Sequence, residues 1–548
     1  MNRRSFLMTP AVGQLTAEKK RRRPNVVLIL TDDQGYGDLG IHGNNAIRTP
    51  NMDRLGREGV QFTRFHVSPV CSPTRSSLLT GRYNYRTGIV DTFRGRSLMH
   101  PEEVTLAEIL CTAGYRTGIF GKWHLGDNYP MRAMDQGFEE ALVIRGGGLS
   151  QPSDYPESTG YFDPILNHNG TPRRFRGYCS DIYTNEALQF MERNRSRPFF
   201  LYLATNAPHS PLEIADSYVE PYRKAGLNET LAKTYGMITN MDDNIGRVLS
   251  KLQELGLEQN TMVLFLTDNG PQQPRFNGNM RGTKGTVYEG GIRVPFFIRW
   301  PAAVQPGTMV DRLAAHIDVT PTLAELCGAT LPKGRKIDGR SLAPLLLQKG
   351  PVEWPDRTLF FQWHRGDEPE LFRDCAARNQ RWKLVNGKEL YDLETDPAES
   401  RDVSAQNPAI TTQLRREYQA WFQDVSSERG YAPPRIQIGT RHENPVLLTR
   451  QDWRGPRAGN SKDSLGHWEL LTTRRARYEI SVRMAPLDAD GQLRFALNGV
   501  SLKQPLKQGT QFHQLGILEI PAGPGRLEIE ISATPLPIGV NYVEIRKV

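Results

Sequence analysis

Four apolar runs of the chain are each followed directly by residues that can carry charge, move protons or bind a metal. The runs end at Leu30, Phe120, Ala204 and Leu266, and the polar residues after them are Asp32 and Asp33, Lys122 and His124, Asn206 and His209, and Asp268 and Asn269. Such runs are typical of strands buried on both faces of a parallel sheet. Because the carboxyl ends of parallel strands share one edge, where ligands bind, we expect these side chains to converge.

The residues after the first and last of these runs offer only oxygen ligands. They are Asp32, Asp33, Asp268 and Asn269, and three of them are carboxylates. Carboxylates held together repel one another unless a cation lies between them, and oxygen ligands favour Ca²⁺ or Mg²⁺ over zinc. Either pair alone is better explained as a turn, where Asp-Asp and Asp-Asn-Gly are common. Two such pairs at two strand ends favour a metal site.

A second candidate site lies at Cys71-Ser72-Pro73-Thr74-Arg75. Pro73 suits the first turn of a helix and Ser72 its cap, so Cys71 is expected at a helix N-terminus, which attracts anions. Arg75 adds a bidentate donor that matches an oxyanion. Taken alone, Cys71 is either an ordinary buried cysteine or a thiolate nucleophile.

The elements that must position these residues change in character along the chain. From Pro24 to about Leu345, short apolar runs alternate with helical patterns, which predicts a layered α/β domain with a large, mostly parallel sheet. Residues 346–435 predict a small α+β subdomain. After a linker at residues 432–444, helical periodicity disappears and residues 440–548 predict an all-β sandwich, with Asn498-Gly499 as a hairpin turn. The predicted units are therefore 1–23, 24–345, 346–435 and 440–548.

The net charge of +9 does not indicate nucleic-acid binding. Residues 1–23 hold seven basic residues and one acidic residue, and residues 440–548 hold 15 basic and 11 acidic residues, which leaves −1 for residues 24–439. A nucleic-acid surface requires a concentrated basic face, so the large α/β domain is not expected to bind nucleic acid.

The N-terminal residues resemble a targeting segment. Arg3-Arg4-Ser5-Phe6-Leu7 resembles a twin-arginine export signal, although Pro10 and Gly13 interrupt the apolar stretch that follows. We expect export to the bacterial periplasm or the extracellular space, and the alternative is a solvated basic tail. No run of about 18 apolar residues occurs, so no segment is expected to span a membrane. Five widely spaced cysteines fit neither a disulfide framework nor a zinc cluster.

The motif Cys71-x-Pro73-x-Arg75 resembles the modification signature of type I sulfatases, in which the cysteine becomes formylglycine. Further blocks resemble that family in the same order: Thr31 to Asp38, Ser76 to Arg82, Gly121 to Gly126, Ala207 to Pro211, Lys284 to Pro295 and Leu390 to Leu393. The resemblance covers residues 24–430 and is closest to the arylsulfatase A and N-acetylhexosamine sulfatase branch. It implies an alkaline-phosphatase-like fold, in which a large mixed sheet lies between helices.

The resemblance also implies a metal and a modification. Ca²⁺, rather than Mg²⁺, would be ligated by Asp32, Asp33, Asp268 and Asn269 and by the formylglycine at position 71. A formylglycine-generating or other sulfatase-maturating enzyme would modify Cys71. Arg75, Lys122 and Lys284 would complete a positive site, which an anionic nucleophile needs in order to approach a sulfate ester.

The implied reaction is hydrolysis of a sulfuric ester. One hydroxyl of the hydrated formylglycine attacks sulfur, and the alcohol leaves. Asp268 is expected to take the proton of the nucleophile, and His209 or Lys284 to protonate the leaving oxygen. His124 would deprotonate the second hydroxyl, so that sulfate is expelled and the aldehyde forms again. The expected substrate is a sulfated carbohydrate or an aryl sulfate.

Two other functions are weighed against this one. The first is a phosphonate or phosphate ester hydrolase of the same superfamily, and the second is a non-catalytic protein that binds sulfated glycans while Cys71 stays unmodified. The sandwich also has two interpretations. Its aromatic and basic residues either bind a glycan or shape the active-site mouth, or its aromatic residues form a packing core; they are Trp453, Trp468, Arg474, Arg475, Arg477 and Tyr542.

Overall fold

The computed structural model describes residues 23–347, 350, 352–533 and 536–548. Residues 1–22, which contain the expected export signal, lie outside the described residues. Among the helices that are described, none combines the length and the apolar character needed to cross a membrane.

Helices and strands alternate in the described part of the chain up to α11, and strands predominate after it. The α-helices are α1 (Pro50–Glu58), α2 (Cys71–Thr80), α3 (Asn84–Thr87), α4 (Leu106–Thr112), α5 (Cys179–Arg193), α6 (Asp216–Lys224), α7 (Glu229–Glu254), α8 (Glu289–Ile292), α9 (Val319–Leu326), α10 (Ala343–Leu347) and α11 (Pro408–Ser427). Short 3-10 turns occur at Gly40–His42, Ala133–Asp135, Glu258–Asn260, His316–Asp318 and Arg450–Asp452.

The strands fall into two groups. Those of the first group are β1 (Asn25–Thr31), β2 (Val60–Phe62), β3 (Phe65–His66), β4 (Arg116–Lys122), β5 (Glu140–Ile144), β6 (Ile165–His168), β7 (Thr171–Arg174), β8 (Phe199–Ala204), β9 (Thr261–Thr267), β10 (Phe296–Arg299), β11 (Thr308–Val310) and β12 (Ala314–Ala315). Those of the second group are β13 (Leu359–Gln362), β14 (Cys375–Arg378), β15 (Trp382–Val385), β16 (Glu389–Asp392), β17 (Ile436–Ile438), β18 (Val446–Thr449), β19 (His467–Thr472), β20 (Ala476–Arg483), β21 (Gly491–Leu497), β22 (Val500–Leu506), β23 (Phe512–Ile520), β24 (Gly523–Ile531) and β25 (Tyr542–Lys547).

A ten-stranded sheet has the order β11-β2-β10-β9-β1-β8-β4-β5-β6-β7. Its centre, from β9 to β5, is parallel, whereas β10, β6 and β7 pair in the antiparallel sense. The predicted fold class, an α/β protein with a large, mostly parallel mixed sheet, is therefore confirmed.

The register brings the four apolar runs to the same level of the sheet. Leu30 in β1 lies opposite Leu266 in β9 and Ala204 in β8, and Phe120 in β4 lies opposite Leu203 in β8. Because these strands are adjacent and parallel, the chain leaves them at one edge.

Both faces of the central strand β1 are buried under helices. Val26, Leu28 and Leu30 pack into one apolar cluster with residues of α2, α4 and α9, and Val27 and Ile29 pack into another with residues of α1, α5 and α7. Burial of each such side chain is worth about 1.5–3 kcal/mol. The strand that precedes Asp32 and Asp33 is therefore held rigidly from both sides.

An antiparallel sheet of β13, β14, β15 and β16 packs with α11. Strand β14 is not apparent in the sequence, because its residues Cys375-Ala376-Ala377-Arg378 lack the β-branched and aromatic side chains that favour strands. Tertiary pairing on both sides makes β14 a strand.

The C-terminal residues form two facing sheets, β17-β19-β24-β21-β22 and β18-β25-β20-β23. Trp453 and Trp468 are fully buried between them, so the packing interpretation is right for these two side chains. The segment expected as a linker contains β17, which pairs with β19. Asn498 and Gly499 have φ of 48° and 80°, as a type I′ hairpin turn requires.

The sandwich packs directly against the α/β part of the chain. Its apolar core includes Leu98 and Met131, which come from loops between α3 and β5. Residues that follow α3 and residues of the sandwich therefore share one packed interior.

Candidate active site

The ends of β1, β9 and β4 bring carboxylates and a lysine into direct contact. Lys122 Nζ lies 2.6 Å from Asp32 Oδ2, and the backbone N–H of Asp33 donates to Asp268 Oδ1 over 3.2 Å. All four side chains are buried. A charge set of this kind is kept inside a protein only when its members are paired or hold an ion.

Asp33 links two further members of the predicted set. Its Oδ1 accepts a hydrogen bond of 2.8 Å from Asn269 Nδ2 and lies 2.6 Å from Lys284 Nζ. His209 Nε2 lies 3.9 Å from the other oxygen, Oδ2. The predicted residues that follow β1, β8 and β9, together with Lys284, thus meet around one carboxylate.

Three buried oxygens of the predicted metal ligands have no hydrogen-bond partner among the described residues. They are Asp32 Oδ1, Asp33 Oδ2 and Asn269 Oδ1. Ligand atoms of Asp32, Cys71 and Asp268 also lie within 4.8 Å of one another. Buried oxygens without partners are costly, and hard divalent cations prefer such a donor set. These residues fit a Ca²⁺ or Mg²⁺ ion.

Helix α2 presents its first turn to the same place. It begins at Cys71, with Val70 as the N-cap residue, so the prediction that Ser72 caps the helix is wrong. The helix starts two residues earlier than predicted, and Pro73 fits at its third position, where a missing N–H costs nothing. Arg75 donates from Nε and Nη2 to Asp268 Oδ2, at 3.1 and 2.8 Å, and from Nη1 to the Lys122 carbonyl.

His124 is held in a defined orientation. Its backbone is left-handed, with φ of 60°, and its Nε2 lies 2.7 Å from the carbonyl oxygen of Thr92. Its Nδ1 has no partner among the described residues. A carbonyl oxygen only accepts, so Nε2 carries the proton and Nδ1 is the nitrogen that can accept one. Burial, with Lys122 nearby, also holds the pKa of His124 well below its usual value, which favours the neutral imidazole.

A glycine-rich loop that the sequence reasoning missed lies against both histidines. A Cβ at Gly147 would lie 2.8 Å from His124 Cε1, and one at Gly148 would lie 3.3 Å from His209 Nδ1. Only a glycine at position 147 lets the backbone lie this close to the His124 ring. The run Gly146-Gly147-Gly148 was the available signal, because three consecutive glycines often mark a close backbone approach.

The charges of the site perturb one another strongly. Burial opposes ionisation of Asp32, but Lys122, His209 and Arg75 outweigh it and hold the Asp32 pKa below its usual value. Burial and the neighbouring Asp32 raise the pKa of Asp268 to about 7. Burial also raises the pKa of the Cys71 thiol, although Lys122 and Lys284 oppose this. A bound divalent cation would favour the ionised form of every one of these groups.

The arrangement suits chemistry on an anionic group. Arg75, Lys122 and Lys284 lie around the carboxylates, and the first turn of α2 adds backbone donors. With a divalent cation on the three oxygens that lack partners, the site would be positive, dry and rigid. Such a site stabilises charge that develops on a transferred oxyanion group.

Comparisons with known proteins agree with this geometry. The chain matches the sulfatase family model over residues 24–329, and the model of the C-terminal part of N-sulphoglucosamine sulphohydrolase over residues 283–424. It is 34% identical over 474 residues to arylsulfatase A of Homo sapiens, in an alignment that covers 79% of this chain and 89% of that protein. It is 32% identical over 444 residues to N-acetylgalactosamine-6-sulfatase of Mus musculus, with 75% and 81% covered.

A solved structure shows the same fold. The crystal structure of Ps i-CgsB in complex with k-i-k-neocarrahexaose superimposes with a TM-score of 0.67 at 30% sequence identity, and covers 75% of this chain and 95% of that one. The family model spans more than half of the chain, and the relatives align over most of their own lengths. The chain therefore belongs to the type I sulfatase family and is a sulfuric ester hydrolase.

Proposed function

We propose that this sulfatase removes sulfate from sulfated carbohydrates, with a formylglycine made from Cys71 as nucleophile and Ca²⁺ as its metal. The observation that carries the proposal is the set of three buried oxygens without partners, on Asp32, Asp33 and Asn269, beside a cysteine at the first residue of α2. Sulfate transfer requires a metal and a nucleophile in one site, with buried cationic side chains beside them.

The proposed metal ligands are Asp32, Asp33, Asp268, Asn269 and the side chain at position 71. An oxygen-only donor set excludes the softer metals that prefer sulfur and nitrogen. Ca²⁺ accepts more ligands and a more irregular geometry than Mg²⁺, and five protein groups at one site favour the larger ion. The cation would supply positive charge for the nucleophile and for the sulfate.

The cationic side chains are proposed to bind the sulfate. Lys122 and Lys284 each contact a carboxylate at 2.6 Å, and Arg75 is anchored on Asp268, so none of them needs to move when the ester binds. Donors fixed in advance stabilise a transition state at little cost in reorganisation. Their role is to orient the ester and to neutralise charge on its oxygens.

Three residues are proposed to move protons. Asp268, whose ionised form a bound cation would favour, lies close enough to position 71 to take a proton from the group there. His209, 8% exposed, lies at the rim of the site, where with Lys284 it would protonate the leaving alcohol oxygen. Neutral His124 would act as the base that completes turnover through its Nδ1.

A carbohydrate substrate is supported by the relatives. N-acetylgalactosamine-6-sulfatase is named for a sulfated amino sugar, and the Ps i-CgsB structure holds k-i-k-neocarrahexaose. Arylsulfatase A is named for an aryl sulfate, so a small aryl ester is a reasonable assay substrate. A phosphonate or phosphate ester hydrolase is the second candidate, because the same cationic site would accept that tetrahedral anion.

Cys71 is proposed to be modified before the domain finishes folding. Its side chain is 2% exposed, and every residue of α2 is buried. A sulfatase-maturating enzyme cannot reach a residue in this position without unfolding α2. The maturating enzyme is therefore expected to act on the nascent or unfolded chain.

The unit boundaries and the export signal are also proposals. We propose a catalytic domain at residues 24–345, a subdomain at 346–435 and an accessory sandwich at 440–548. Residues 1–23 would direct export and then be removed or remain as a basic tail. N-terminal sequencing of chain recovered outside the cytoplasm tests this, and recovery of the full chain only inside the cell would contradict it.

Mass spectrometry of the tryptic peptide Phe65–Arg75, combined with kinetics, tests the proposed function. In a host that performs the modification, we expect the formylglycine mass and a kcat/KM that is higher for a sulfate ester than for the matched phosphonate ester. A cysteine mass in active enzyme would contradict the proposed nucleophile. A higher kcat/KM for the phosphonate ester would favour the second candidate. Binding of sulfated glycans without any hydrolysis would favour the non-catalytic alternative.

A further inference from the structure

Four arginines crowd together beside the proposed active site. Arg94 and Arg96 lie in the loop after α3, and two more approach them from the subdomain and from the sandwich, namely Arg365 and Arg454. Two carboxylates, Asp91 and Asp367, form ion pairs with members of this group. We call these six residues the arginine patch, and its net charge is +2.

The carboxylates of the patch pair with three of the arginines. Asp91, whose side chain is fully buried, lies 2.7 Å from Arg365 Nη1 and 3.3 Å from Arg96 Nη1. Asp367 lies 2.6 Å from Arg96 Nη2 and 3.3 Å from Arg454 Nη2. Each of the two acids is thus shared between two guanidinium groups.

Arg94 differs from the other arginines of the patch in its contacts. It forms no ion pair with any described residue, and its buried Nε has no hydrogen-bond partner. Burial, with Arg96 and Arg365 nearby, lowers its pKa, although Asp91 and Asp367 oppose this shift. An unpaired buried donor is costly, and an anion that accepts a hydrogen bond from Arg94 would relieve this cost.

Aromatic rings contact both Arg94 and Arg365. Their guanidinium carbons lie 4.9 and 4.6 Å from the centroid of the Phe93 ring. Arg365, about half exposed, also lies over the Trp363 ring at 5.0 Å. Cation–π contacts hold both side chains in place while their remaining N–H donors stay available.

The patch adjoins the reacting groups on two sides. The Thr92 carbonyl that contacts His124 Nε2 precedes Phe93, so Arg94 lies within about 7 Å of Thr92 along the backbone. On the other side, the edge of Trp363 would lie 3.0 Å from a Cβ at Gly285, the residue after Lys284. A group attached to the sugar near the reacting sulfate would therefore meet the patch.

We propose that Arg94 and Arg365 bind a second anionic group of the substrate, a sulfate or a carboxylate, carried next to the sulfate that is hydrolysed. This inference rests on the proposed function, because it assumes a carbohydrate sulfate in the active site. Planar guanidinium groups match either anion in bidentate geometry. The enzyme then selects multiply anionic glycans over glycans with a single sulfate.

The test compares kcat/KM on three disaccharides that carry the same scissile sulfate. One is otherwise neutral, one bears a second sulfate and one bears a uronate carboxylate. We expect the wild type to prefer one or both dianionic substrates. In Arg94→Gln and in Arg365→Gln, the ratio of dianionic to neutral kcat/KM should fall about 10- to 100-fold, the loss expected for one charged hydrogen-bonded contact, mainly through KM.

The arms of this test separate the possible results. A preference for the disulfated or the uronate substrate identifies the anion. Arg195→Gln, which changes an exposed arginine between α5 and β8, is the matched control and should keep the wild-type ratio. Equal kcat/KM of the wild type on all three disaccharides, or an unchanged ratio in both variants, would overturn the inference while the proposed function stands. Hydrolysis of an aryl sulfate but of no disaccharide would overturn both.

Discussion

The side-chain amide of Gln451 donates a hydrogen bond of 2.8 Å to the carbonyl oxygen of Thr92. The same carbonyl lies 2.7 Å from His124 Nε2. Gln451 also donates to Ser97 Oγ, and its own backbone carbonyl accepts from the N–H of Gly95. Gln451 precedes β19 of the sandwich, so the sandwich fixes the loop that orients a proposed catalytic base.

Replacement of Gln451 by Ala should lower kcat with little change in KM for a small aryl sulfate. Without the amide, the Thr92 carbonyl is no longer fixed and the imidazole of His124 loses its orientation. A displacement of about 1 Å at a reacting group can cost about 100-fold in rate, so we expect a loss of up to that size. Steady-state kinetics of the purified variant measure it.

The control for this change is Gln508→Ala, which alters an exposed glutamine of the same sandwich. It should keep the wild-type kcat. If Gln451→Ala also keeps full kcat while His124→Ala is inactive, the contact between sandwich and loop does not position His124. The sandwich would then act only as a packing module.

The sequence predicts the strand ends of this site well because their signal is local. An apolar run such as Val26 to Leu30 predicts a buried strand, and the polar residues that follow must lie at its end. Parallel pairing then brings distant strand ends together, as the contact between Lys122 and Asp32 shows. The topology of the sheet, rather than the spacing of these residues in the sequence, therefore determines which of them meet.

The residues that sequence reasoning missed depend on contacts between distant segments. Gln451 and Thr92 are 359 residues apart, and neither stands in a motif. The arginine patch draws its members from three parts of the chain, and Arg94 looks like any surface arginine in the sequence. Ser72 illustrates a local failure: a serine before a proline favours a cap, yet the helix begins at Cys71 and Pro73 takes its third position.

Calcium should stabilise the folded enzyme, and Asn269→Ala should weaken this effect. Asn269 Oδ1 is one of the three buried oxygens without partners, so its loss removes a proposed ligand. Ligand at 100 times its Kd stabilises a protein by about 2.7 kcal/mol. We expect Ca²⁺ to raise the Tm of chelator-treated wild type, and a smaller rise for the variant at the same Ca²⁺ concentration.

Calorimetric titration of Ca²⁺ into the chelator-treated proteins gives Kd directly. Asp490→Asn, which changes an exposed carboxylate of the sandwich, should bind Ca²⁺ like the wild type. Equal Kd values for Asn269→Ala and wild type would show that Asn269 is not a ligand.

Gly121→Ala should disrupt the junction between β4 and β8 next to Lys122. Gly121 has φ of 124°, and a Cβ there would lie 1.9 Å from the carbonyl oxygen of Ala204. Backbone atoms cannot yield as a flexible side chain can. We expect poor folding or, in recovered protein, a loss of activity with a lowered Tm, measured by calorimetry and by hydrolysis of an aryl sulfate.

Gly114→Ala is the matched control for this substitution. Gly114 also has a positive φ, of 82°, but nothing lies within 4 Å of a Cβ placed there. Its cost is therefore backbone strain alone, about 1–2 kcal/mol. If both variants lose the same stability, the close approach to Ala204 does not matter.

The buried carboxyl of Asp452 should make stability fall as pH rises. Burial raises its pKa to about 8, Asp127 nearby adds to the shift and Arg145 opposes it. An unfolded Asp titrates near pH 4. The raised pKa therefore makes its full contribution to the free energy of unfolding below about pH 4. This contribution is lost progressively as pH rises from about 4 to 8.

The variant Asp452→Asn keeps the shape of the neutral carboxyl and removes its titration. We expect the difference in Tm, variant minus wild type, to grow between pH 5 and pH 8. The growth should correspond to a few kcal/mol in the free energy of unfolding, because one pKa unit is worth about 1.4 kcal/mol. Taking the difference cancels every group that the two proteins share. Asp488→Asn, an exposed aspartate of the sandwich, should show no such trend. A difference that does not change with pH would mean that Asp452 is ionised in the folded protein, paired with Arg145.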